Sequence, residues 1–353
     1  MSLPRPTRRP RLLTALLLTP LLTGCFAESG AGPAAEGTDG GEGTRLRVAL
    51  AFPPAERLSP YGADATILSR LGVTEGLTSL DANGTARANA LRTGDTDIAE
   101  AVPVAQATTL DADTRRETAT TRTTSLLLNS GSGPFTSAGL RAAARAAVDT
   151  SALAKGVYEG HADAGAGIYG PAVSWAAAGR VQPVGRAKAT RPDRTAVTLA
   201  TYDNRPELPE VAQVLKQQLE KAGFAVKLVV RDYSRLESDA LAGKFDAFVL
   251  ARNTLVDTGD PVAVLASDHT CDGGYNIARL CDSEVDRAVA EAEATADTGK
   301  RRDAALAAEA EILGTDAVVP LVHQRVITGV GAGVKGVRLD PYERVLVGTG
   351  TRR

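Results

Sequence analysis

The clearest secondary-structure pattern of the chain lies in residues 195–252, TAVTLATYDNRPELPEVAQVLKQQLEKAGFAVKLVVRDYSRLESDALAGKFDAFVLAR. Three apolar runs bounded by turn residues, TAVTLATY, AVKLVVRDY and FDAFVLAR, predict strands. Between the first two lies an amphipathic helix that ends at Gly223 and has one apolar face. This face comprises Val211, Val214, Leu215, Leu219 and Ala222. Ser234 and Glu237 form a capping-box pattern that opens a second, shorter helix.

The order strand, helix, strand, helix, strand predicts an α/β fold with right-handed crossovers. It also favours a largely parallel sheet that is covered on both faces. Sheets of this kind bind ligands at the carboxyl ends of their strands. We therefore expect a binding site in the loop that leaves the third strand, from Arg252 to Cys281.

Further elements are predicted on both sides of this stretch. On the amino-terminal side the patterns favour strands at 45–51 and 123–128, a helix at 65–71, and two helices within 134–160. On the carboxyl-terminal side, residues 282–314 predict two alanine-rich helices broken near Asp297. Short strands separated by glycines then return over 318–347, and we expect them to complete the first domain.

The amino terminus, MSLPRPTRRPRLLTALLLTPLLTGC (residues 1–25), predicts export. Four arginines precede the apolar run Leu12–Leu22, which is too short to span a bilayer as a permanent helix. Leu22-Thr23-Gly24-Cys25 resembles the lipobox of bacterial lipoproteins, which implies a signal peptide over 1–24 and lipid attachment at Cys25. An ordinary cleaved signal with an incidental cysteine is the alternative, and Arg8-Arg9 leaves Sec and twin-arginine export both open.

Residues 25–44 are rich in glycine and cannot bury enough apolar surface to order themselves, so a flexible linker is expected there. The chain has 353 residues, of which 43% are hydrophobic and 23% charged, which is enough for one large or two medium domains. Its net charge is −2, and loss of residues 1–24 removes four arginines and no acids, which leaves about −6. Nucleic acid is therefore not a predicted partner, and contact with the membrane is expected only through the acylated end.

Cys271 and Cys281 enclose a short loop, CDGGYNIARLC. In an exported chain such a pair favours a disulfide that stiffens whatever the loop presents, and two free buried thiols are the alternative. The three histidines, His161, His269 and His323, are far apart in sequence, so a three-histidine metal cage is not predicted. The chain has no HExxH, GxSxG or P-loop motif, and neither catalysis nor a cofactor is predicted.

Several segments together resemble the extracellular solute-binding proteins of peptide and nickel ABC importers. They are LRVALAFPPAERLSPYGADATILSRLGVTEGLTSLDANGT, RTGDTDIAEAVP, the block from LLLNS through GPFTSAGLRAAARAAVDTSALAKGVYEG, and GGYNIARLCDSEVDRAVAEA followed by VVPLVHQ. The resemblance covers most of residues 45–345. It implies a two-lobed fold of the periplasmic-binding-protein type (type II, cluster C-like) that closes on a solute and delivers it to a membrane permease and its ATPase.

The resemblance also sets the expected domains. Lobe 1 would comprise 45–190, completed by 318–353, and lobe 2 would comprise 191–317. The small extra domain of the family is largely missing, because its flanking motifs lie only about a dozen residues apart. A natural minimal receptor, a degenerate surface sensor or interaction lipoprotein without transport, and a gene-model error each remain open.

The resemblance and the expected loop together suggest a set of binding residues. Peptide-binding members have an acid after the third strand, where this chain has Arg252-Asn253, so an anionic or chelate-type solute is favoured. Asp260-Pro261 resembles the nickel branch, which makes His269 a candidate contact to a metal chelate. A salt-bridged strand end is the alternative for Arg252, and packing is expected for Trp175. The full candidate set is Tyr61, Arg252, Asn253, Asp257, His269, Tyr275 and Asn276.

Overall fold

The computed structural model describes residues 46–50, 67, 71, 87–183, 185–255 and 258–353. The predicted signal peptide, Cys25 and the linker lie outside these residues, as do Tyr61 and Asp257. All described residues belong to one compact unit, Gly43–Arg353. None of the helices in the described part combines the length and the hydropathy needed to cross a bilayer.

Eight strands of the described chain form one mixed sheet. The strands are β1 (Val48–Ala49), β2 (Ile98–Ala99), β3 (Arg115–Leu128), β4 (Ala162–Ala164), β5 (Ala196–Tyr202), β6 (Ala225–Arg231), β7 (Ala247–Asn253) and β8 (Val318–Val330). Their order in the sheet is β1-β2-β8-β3-β7-β5-β6, and β4 pairs with β8. This is the α/β fold that the sequence predicts.

The helices of the described residues lie between these strands. They are α1 (Arg87–Thr93), α2 (Val104–Ala107), α3 (Ala138–Ala147), α4 (Thr150–Lys155), α5 (Ser174–Gly179), α6 (Glu207–Lys221), α7 (Tyr233–Leu241), α8 (Pro261–His269), α9 (Ser283–Ala294) and α10 (Thr298–Gly314). Pro134–Thr136 forms a 3-10 turn before α3. The break predicted near Asp297 is present, and the Asp297 carboxylate caps α10 by accepting a hydrogen bond from the N–H of Lys300.

Residues 195–252 form β5, α6, β6, α7 and all but the last residue of β7, with β5 parallel to both β6 and β7. Helix α6 buries Val211, Leu215 and Leu219 as predicted, and Gly223 ends it with a φ of 106°, which favours glycine. The capping box predicted at Ser234 is wrong in register. The cap of α7 is Asp232, whose carboxylate accepts hydrogen bonds from the N–H and the hydroxyl group of Ser234. A charged carboxylate is a stronger acceptor than the serine hydroxyl that was expected to form the cap.

Two long strands, β3 and β8, run antiparallel through the centre of the sheet. Their pairing register shifts between Ala119 and Thr123, and again between Thr124 and Ser125. On one side of the shifts, β8 pairs with β2. On the other side, β3 pairs with β7, and β8 pairs with β4 close to the first shift. In place of the short strands expected over 318–347, one continuous strand covers 318–330, and the described residues 331–347 contain only an isolated bridge of Lys335 with Arg352. One edge of β8 pairs with β3, and the other edge pairs with β4 and β2 over parts of its length.

The buried apolar side chains of the described residues form two clusters. The larger surrounds β5, β7 and the helices packed on them. The smaller comprises Val48, Leu71, Ile98 and Leu346, so it joins the first strands to the carboxyl-terminal segment. The carboxyl-terminal segment therefore packs against β1 and β2.

Candidate functional site

The carboxyl ends of the parallel strands β5, β6 and β7 lie at one edge of the sheet, as expected for a binding site in this class of fold. The chain leaves β7 at Asn253 and continues into α8, whose amino terminus is held by Asp260. The Asp260 carboxylate accepts from Val262 N–H and pairs with Arg301 of α10, which lowers the pKa of Asp260 through hydrogen bonding. Helix α8 is therefore fixed over one face of the sheet.

An outer cavity of about 330 Å³ lies where this loop leaves the sheet. We use this name for the space lined by Arg252, Asn253, Thr254, Leu255, Thr258, Ala263, Val264, Ser267, Gly274 and Tyr275. The lining is mixed, since aliphatic side chains alternate with hydroxyl groups. The cavity suits a small ligand that has both apolar and polar groups.

A small inner cavity of about 30 Å³ lies deeper, between the sheet face and α8. It is lined by Thr123, Ser125, Leu127, Ile168, Leu250, Arg252, Thr254, Val264, Asp268, His269, Tyr275 and Val318. Successive inward-facing positions on β3 and β7 supply much of this wall, because every second residue of a strand faces the same side. The two cavities share Arg252, Thr254, Val264 and Tyr275.

Arg252 stands between the cavities and is held on two sides. Its Nε and Nη2 lie 2.8 and 3.2 Å from the two carboxylate oxygens of Asp268, and its guanidinium lies 4.7 Å from the ring centre of Tyr275. Asp268 is buried, while the Arg252 side chain is one-third exposed. The salt-bridged strand end, the alternative interpretation from the sequence, is thus present, and it orients the guanidinium within the wall of both cavities.

His269, the last residue of α8, is buried and lines the inner cavity. Its Nδ1 is buried and has no hydrogen-bond partner. Burial lowers the pKa of His269 to about 4, and the nearby Arg252 lowers it further while Asp268 opposes the shift. The ring is therefore neutral at physiological pH.

Tyr275 closes the outer side of this wall. Its hydroxyl contacts the hydroxyl of Tyr233 from α7, and Tyr233 packs edge-on against Tyr202 at the end of β5. Burial raises the pKa of Tyr275. Three tyrosines from three separate elements thus meet beside the outer cavity.

The side chains of the two candidate asparagines form hydrogen bonds within the protein. Asn253 accepts from the Thr121 hydroxyl at 2.5 Å and donates to the Tyr342 carbonyl at 3.4 Å. Asn276 donates to the carbonyls of Thr270 and Leu280 and accepts from Leu280 N–H, so its amide braces the loop. Asn253 also lines the outer cavity, whereas Asn276 lines neither cavity.

Cys271 and Cys281 form a disulfide that closes the loop carrying Tyr275. Together with Asp286 they are the one group of metal-ligand type found among the described residues. Sulfurs joined to each other are not thiolates, so this group does not suit a metal while the disulfide is intact. The other histidines are engaged elsewhere, since His161 pairs with Glu117 and His323 contacts the Thr123 hydroxyl.

Sequence reasoning missed Asp268, Ser125 and Tyr233 at this site. Asp268 carries no local motif, and its role depends on α8 packing over the end of β7. Ser125 lies in a strand with many threonines, where the alternating polar positions were the available signal. A bidentate ion pair between Arg122 and Glu343 was also missed; it ties β3 at its register shift to the carboxyl-terminal segment.

The chain is similar to known proteins both in sequence and in fold. The model of the bacterial extracellular solute-binding proteins, family 5 Middle, matches residues 80–276, which is more than half of the chain. The "Di/tripeptide-binding protein 1" of Pseudomonas aeruginosa (strain UCBPP-PA14) is 27% identical over 225 residues, which cover 59% of this chain and 41% of the relative. The "Probable di/tripeptide-binding protein 5" of the same strain is 26% identical over 62% of this chain and 43% of the relative.

Two solved structures share the fold. NikA from Staphylococcus aureus, in complex with Ni(L-His)2, has a TM-score of 0.66 at 19% identity and covers 78% of this chain and 62% of its own. A dipeptide-binding protein from Pseudoalteromonas sp. SM9913, in complex with Met-Leu, has a TM-score of 0.66 at 21% identity and covers 78% of this chain and 57% of its own. The chain thus spans about two-fifths of the curated relatives and about three-fifths of these structures.

Proposed function

We propose, from the premise that this chain belongs to the bacterial extracellular solute-binding proteins of family 5, that it is the solute receptor of an ABC importer. The family is one of solute-binding proteins rather than enzymes. Its fold is the two-lobed fold of periplasmic binding proteins. The receptor would capture a small solute and deliver it to a membrane permease that is driven by an ATPase.

The observation that carries this proposal is the pair of cavities that meet at Arg252 and Tyr275. They lie at the carboxyl end of β7, where this fold class binds ligands, and they combine aliphatic walls with a few fixed polar groups. Arg252 and Asp268 present a positive and a negative group side by side. Such a wall suits a solute that carries both charges, such as a small peptide or an amino-acid metal chelate.

The relatives support both solute classes. Di- and tripeptides are named for the curated relatives, and Ni(L-His)2 and Met-Leu occupy two of the similar structures. We propose Arg252, Tyr275 and His269 as solute contacts, with His269 as the residue that would contact a metal chelate. Asn253, Asp257 and Tyr61 complete the proposed set of contacts. Asn276, which lines neither cavity, would act indirectly by bracing the loop that carries Tyr275.

Capture would proceed by closure of two lobes, 45–190 with 318–353 and 191–317. By these bounds β3 and β8 belong to the first lobe, and β7 of the second lobe pairs with β3. The register shifts between β3 and β8 would provide a site for bending. A solute that contacts both sides stabilises the closed state in proportion to its differential affinity for that state.

We further propose that residues 1–24 are a cleaved signal and that Cys25 is acylated. The receptor would then be anchored on the outer face of the cytoplasmic membrane by lipid alone, with 25–44 as its tether. Intact-mass analysis of the protein from the membrane fraction would show the diacylglyceryl mass if this is correct. The mass of an unmodified Cys25 would contradict it.

A second candidate function is that of a surface sensor or interaction lipoprotein without transport. The short spacing between the segments EGLTSLDANGT and RTGDTDI, between which the small extra domain of the family would lie, favours this candidate. Adjacent genes for two permeases and an ATPase would favour the importer receptor. An isolated gene would favour the sensor.

Isothermal titration calorimetry tests the receptor directly. The mature chain is titrated with Met-Leu, with a tripeptide and with Ni(L-His)2, alongside the Tyr275→Ala variant. We expect saturable binding of at least one solute and a loss of affinity of about tenfold in the variant, because an aromatic wall is removed. Trp175→Phe, away from both cavities, is the matched control and should bind normally. The absence of saturable heat with every solute would contradict the proposal.

A further inference from the structure

The loop between α8 and α9 brings three groups of metal-ligand type together. The sulfurs of Cys271 and Cys281 and a carboxylate oxygen of Asp286 lie within 4.8 Å of one another. Cys271 lies just after α8, Cys281 lies just before α9, and Asp286 belongs to the first turn of α9. The two helices pack against each other, so the three groups are carried by a fixed part of the fold.

The two sulfurs belong to residues that face solvent. Both cysteines are exposed, and Asp286 is partly buried beside them. A dissolved reductant or cation can therefore reach the sulfurs directly. Exposure of this kind favours reaction at a disulfide, whereas buried sulfurs are inert.

The loop has a second closure that does not depend on the disulfide. Asn276 Nδ2 donates to the carbonyls of Thr270 and Leu280, at 2.8 and 2.7 Å, and Asn276 Oδ1 accepts from the Leu280 N–H at 3.0 Å. Thr270 and Leu280 each directly precede one of the cysteines, so these hydrogen bonds join the same two points of the backbone. Ile277, Ala278 and Leu280 are also buried in the larger hydrophobic cluster. The two thiols should therefore remain side by side after the disulfide is reduced.

The carboxylate of Asp286 is oriented by the backbone of the same loop. Its Oδ1 accepts a hydrogen bond from the Cys271 N–H at 3.0 Å. A carboxylate has two oxygens with several lone pairs, so this hydrogen bond is compatible with ligation of a cation by the same group. The carboxylate is thus fixed beside the Cys271 sulfur.

Two thiolates and a carboxylate suit a thiophilic divalent cation. Zn²⁺ binds cysteine sulfur at about 2.3 Å and carboxylate oxygen at about 2.0–2.2 Å in tetrahedral geometry, so its ligands lie roughly 3.5–4 Å apart. The three groups are already close to this spread, and exposed cysteine side chains can rotate about χ1 to reach it. Three protein ligands leave the fourth position to water.

We propose that Cys271, Cys281 and Asp286 form a site for a thiophilic divalent cation of the zinc class once the disulfide is reduced. Reduction by a dithiol transfers two electrons and two protons to the sulfurs and converts the dithiol into its own disulfide. The cation then displaces both protons and bonds to the two thiolates and to the carboxylate. The loop that carries Tyr275 would thus be closed by a disulfide when oxidised and by a metal ion when reduced.

The test titrates Cd²⁺ into the mature chain, with Cys25→Ser so that Cys271 and Cys281 are its only cysteines. The protein is reduced with a dithiol, freed of reductant without air, and followed by calorimetry and by the ultraviolet absorption of cadmium–thiolate bonds. We expect one Cd²⁺ per reduced chain, with that absorption, and neither in the oxidised chain. Cys281→Ser should abolish this site.

Asp286→Asn tests the carboxylate and leaves both cysteines in place. Its amide oxygen can still accept from the Cys271 N–H, so the loop keeps this contact. We expect Cd²⁺ affinity to fall by about tenfold or more, because losing a group that merely supports a metal ligand already costs about tenfold. Glu291→Gln, on the same helix and outside the group, is the matched control and should bind Cd²⁺ normally.

Four results would overturn the site: no Cd²⁺ binding by the reduced chain, equal binding by the oxidised chain, or binding that is unchanged in Cys281→Ser or in Asp286→Asn. Circular dichroism should show the same fold before and after reduction. A chain that unfolds on reduction would also contradict the proposal, because the loop must persist without its disulfide. Asp286→Asn keeps the test valid if Cys281→Ser fails to fold. The receptor function is tested separately, by solute titration of the oxidised protein.

Discussion

His323 shows how a single buried residue sets the response of the protein to acid. It lies in β8, where its Nε2 accepts a hydrogen bond from Ala166 N–H, so the proton of the neutral ring is on Nδ1 and faces the Thr123 hydroxyl. Protonation of Nε2 would remove that acceptor. Burial lowers the pKa of His323 to about 4, with Arg180 adding to the shift and Asp163 opposing it.

The sign of the pH dependence follows from this lowered pKa. Between pH 6.5 and 4 the unfolded chain binds a proton at His323 and the folded chain does not, so stability falls as the pH falls through this range. Between pH 8 and 5 the loss from this residue is about 2 kcal/mol. Urea unfolding should show that His323→Gln loses less stability over this interval than the wild type. The control His161→Gln should behave as the wild type, and an unchanged pH slope in His323→Gln would contradict the assignment.

At the scale of elements, helix α10 is joined to the loop before α5 by one buried carboxylate. Glu309 is fully buried and accepts from the backbone N–H groups of Ile168 and Tyr169 at 2.6 and 3.1 Å, while Arg180 lies 3.2 Å away. Gly167 makes this arrangement possible, because a Cβ there would lie 1.2 Å from Nη1 of Arg180. The same loop supplies Ile168 to the inner cavity.

Glu309→Ala should therefore destabilise the protein by about 3 kcal/mol or more, because two backbone donors and a buried guanidinium lose their acceptor. Glu311→Ala on the same helix is the matched control. Glu311 is 47% exposed and pairs with Arg186 at the surface, so its loss should cost under about 1 kcal/mol. Chemical denaturation of both variants measures the difference. Equal losses would show that the buried carboxylate does not hold the loop.

The elements also show what the sequence could and could not predict. The helical spacing in 207–221 and the alternation in 196–202 are local signals, and both elements formed as predicted. The continuous strand β8 was missed because Pro320, His323 and Gln324 interrupt its apolar pattern; pairing on both edges stabilises it nonetheless. The loop after β7 was correctly placed beside a cavity, whereas the partners of Arg252 depend on contacts distant in sequence.

At the scale of the whole molecule, the family and the fold support a receptor that captures a solute. Strands β3 and β8, whose pairing register shifts twice, form the centre of the sheet. The ion pair of Arg122 with Glu343 lies at this centre and links the carboxyl-terminal segment to β3. A solute bound near Arg252 would lie close to the same strands, because β7 pairs with β3 along its length.

Small-angle X-ray scattering of the mature chain, with and without an excess of Met-Leu or Ni(L-His)2, measures whether a solute brings two lobes together. If the protein captures a solute between two lobes, at least one of these solutes should lower the radius of gyration, since the closed state is more compact. Scattering curves that coincide in the presence and absence of both solutes would contradict the account.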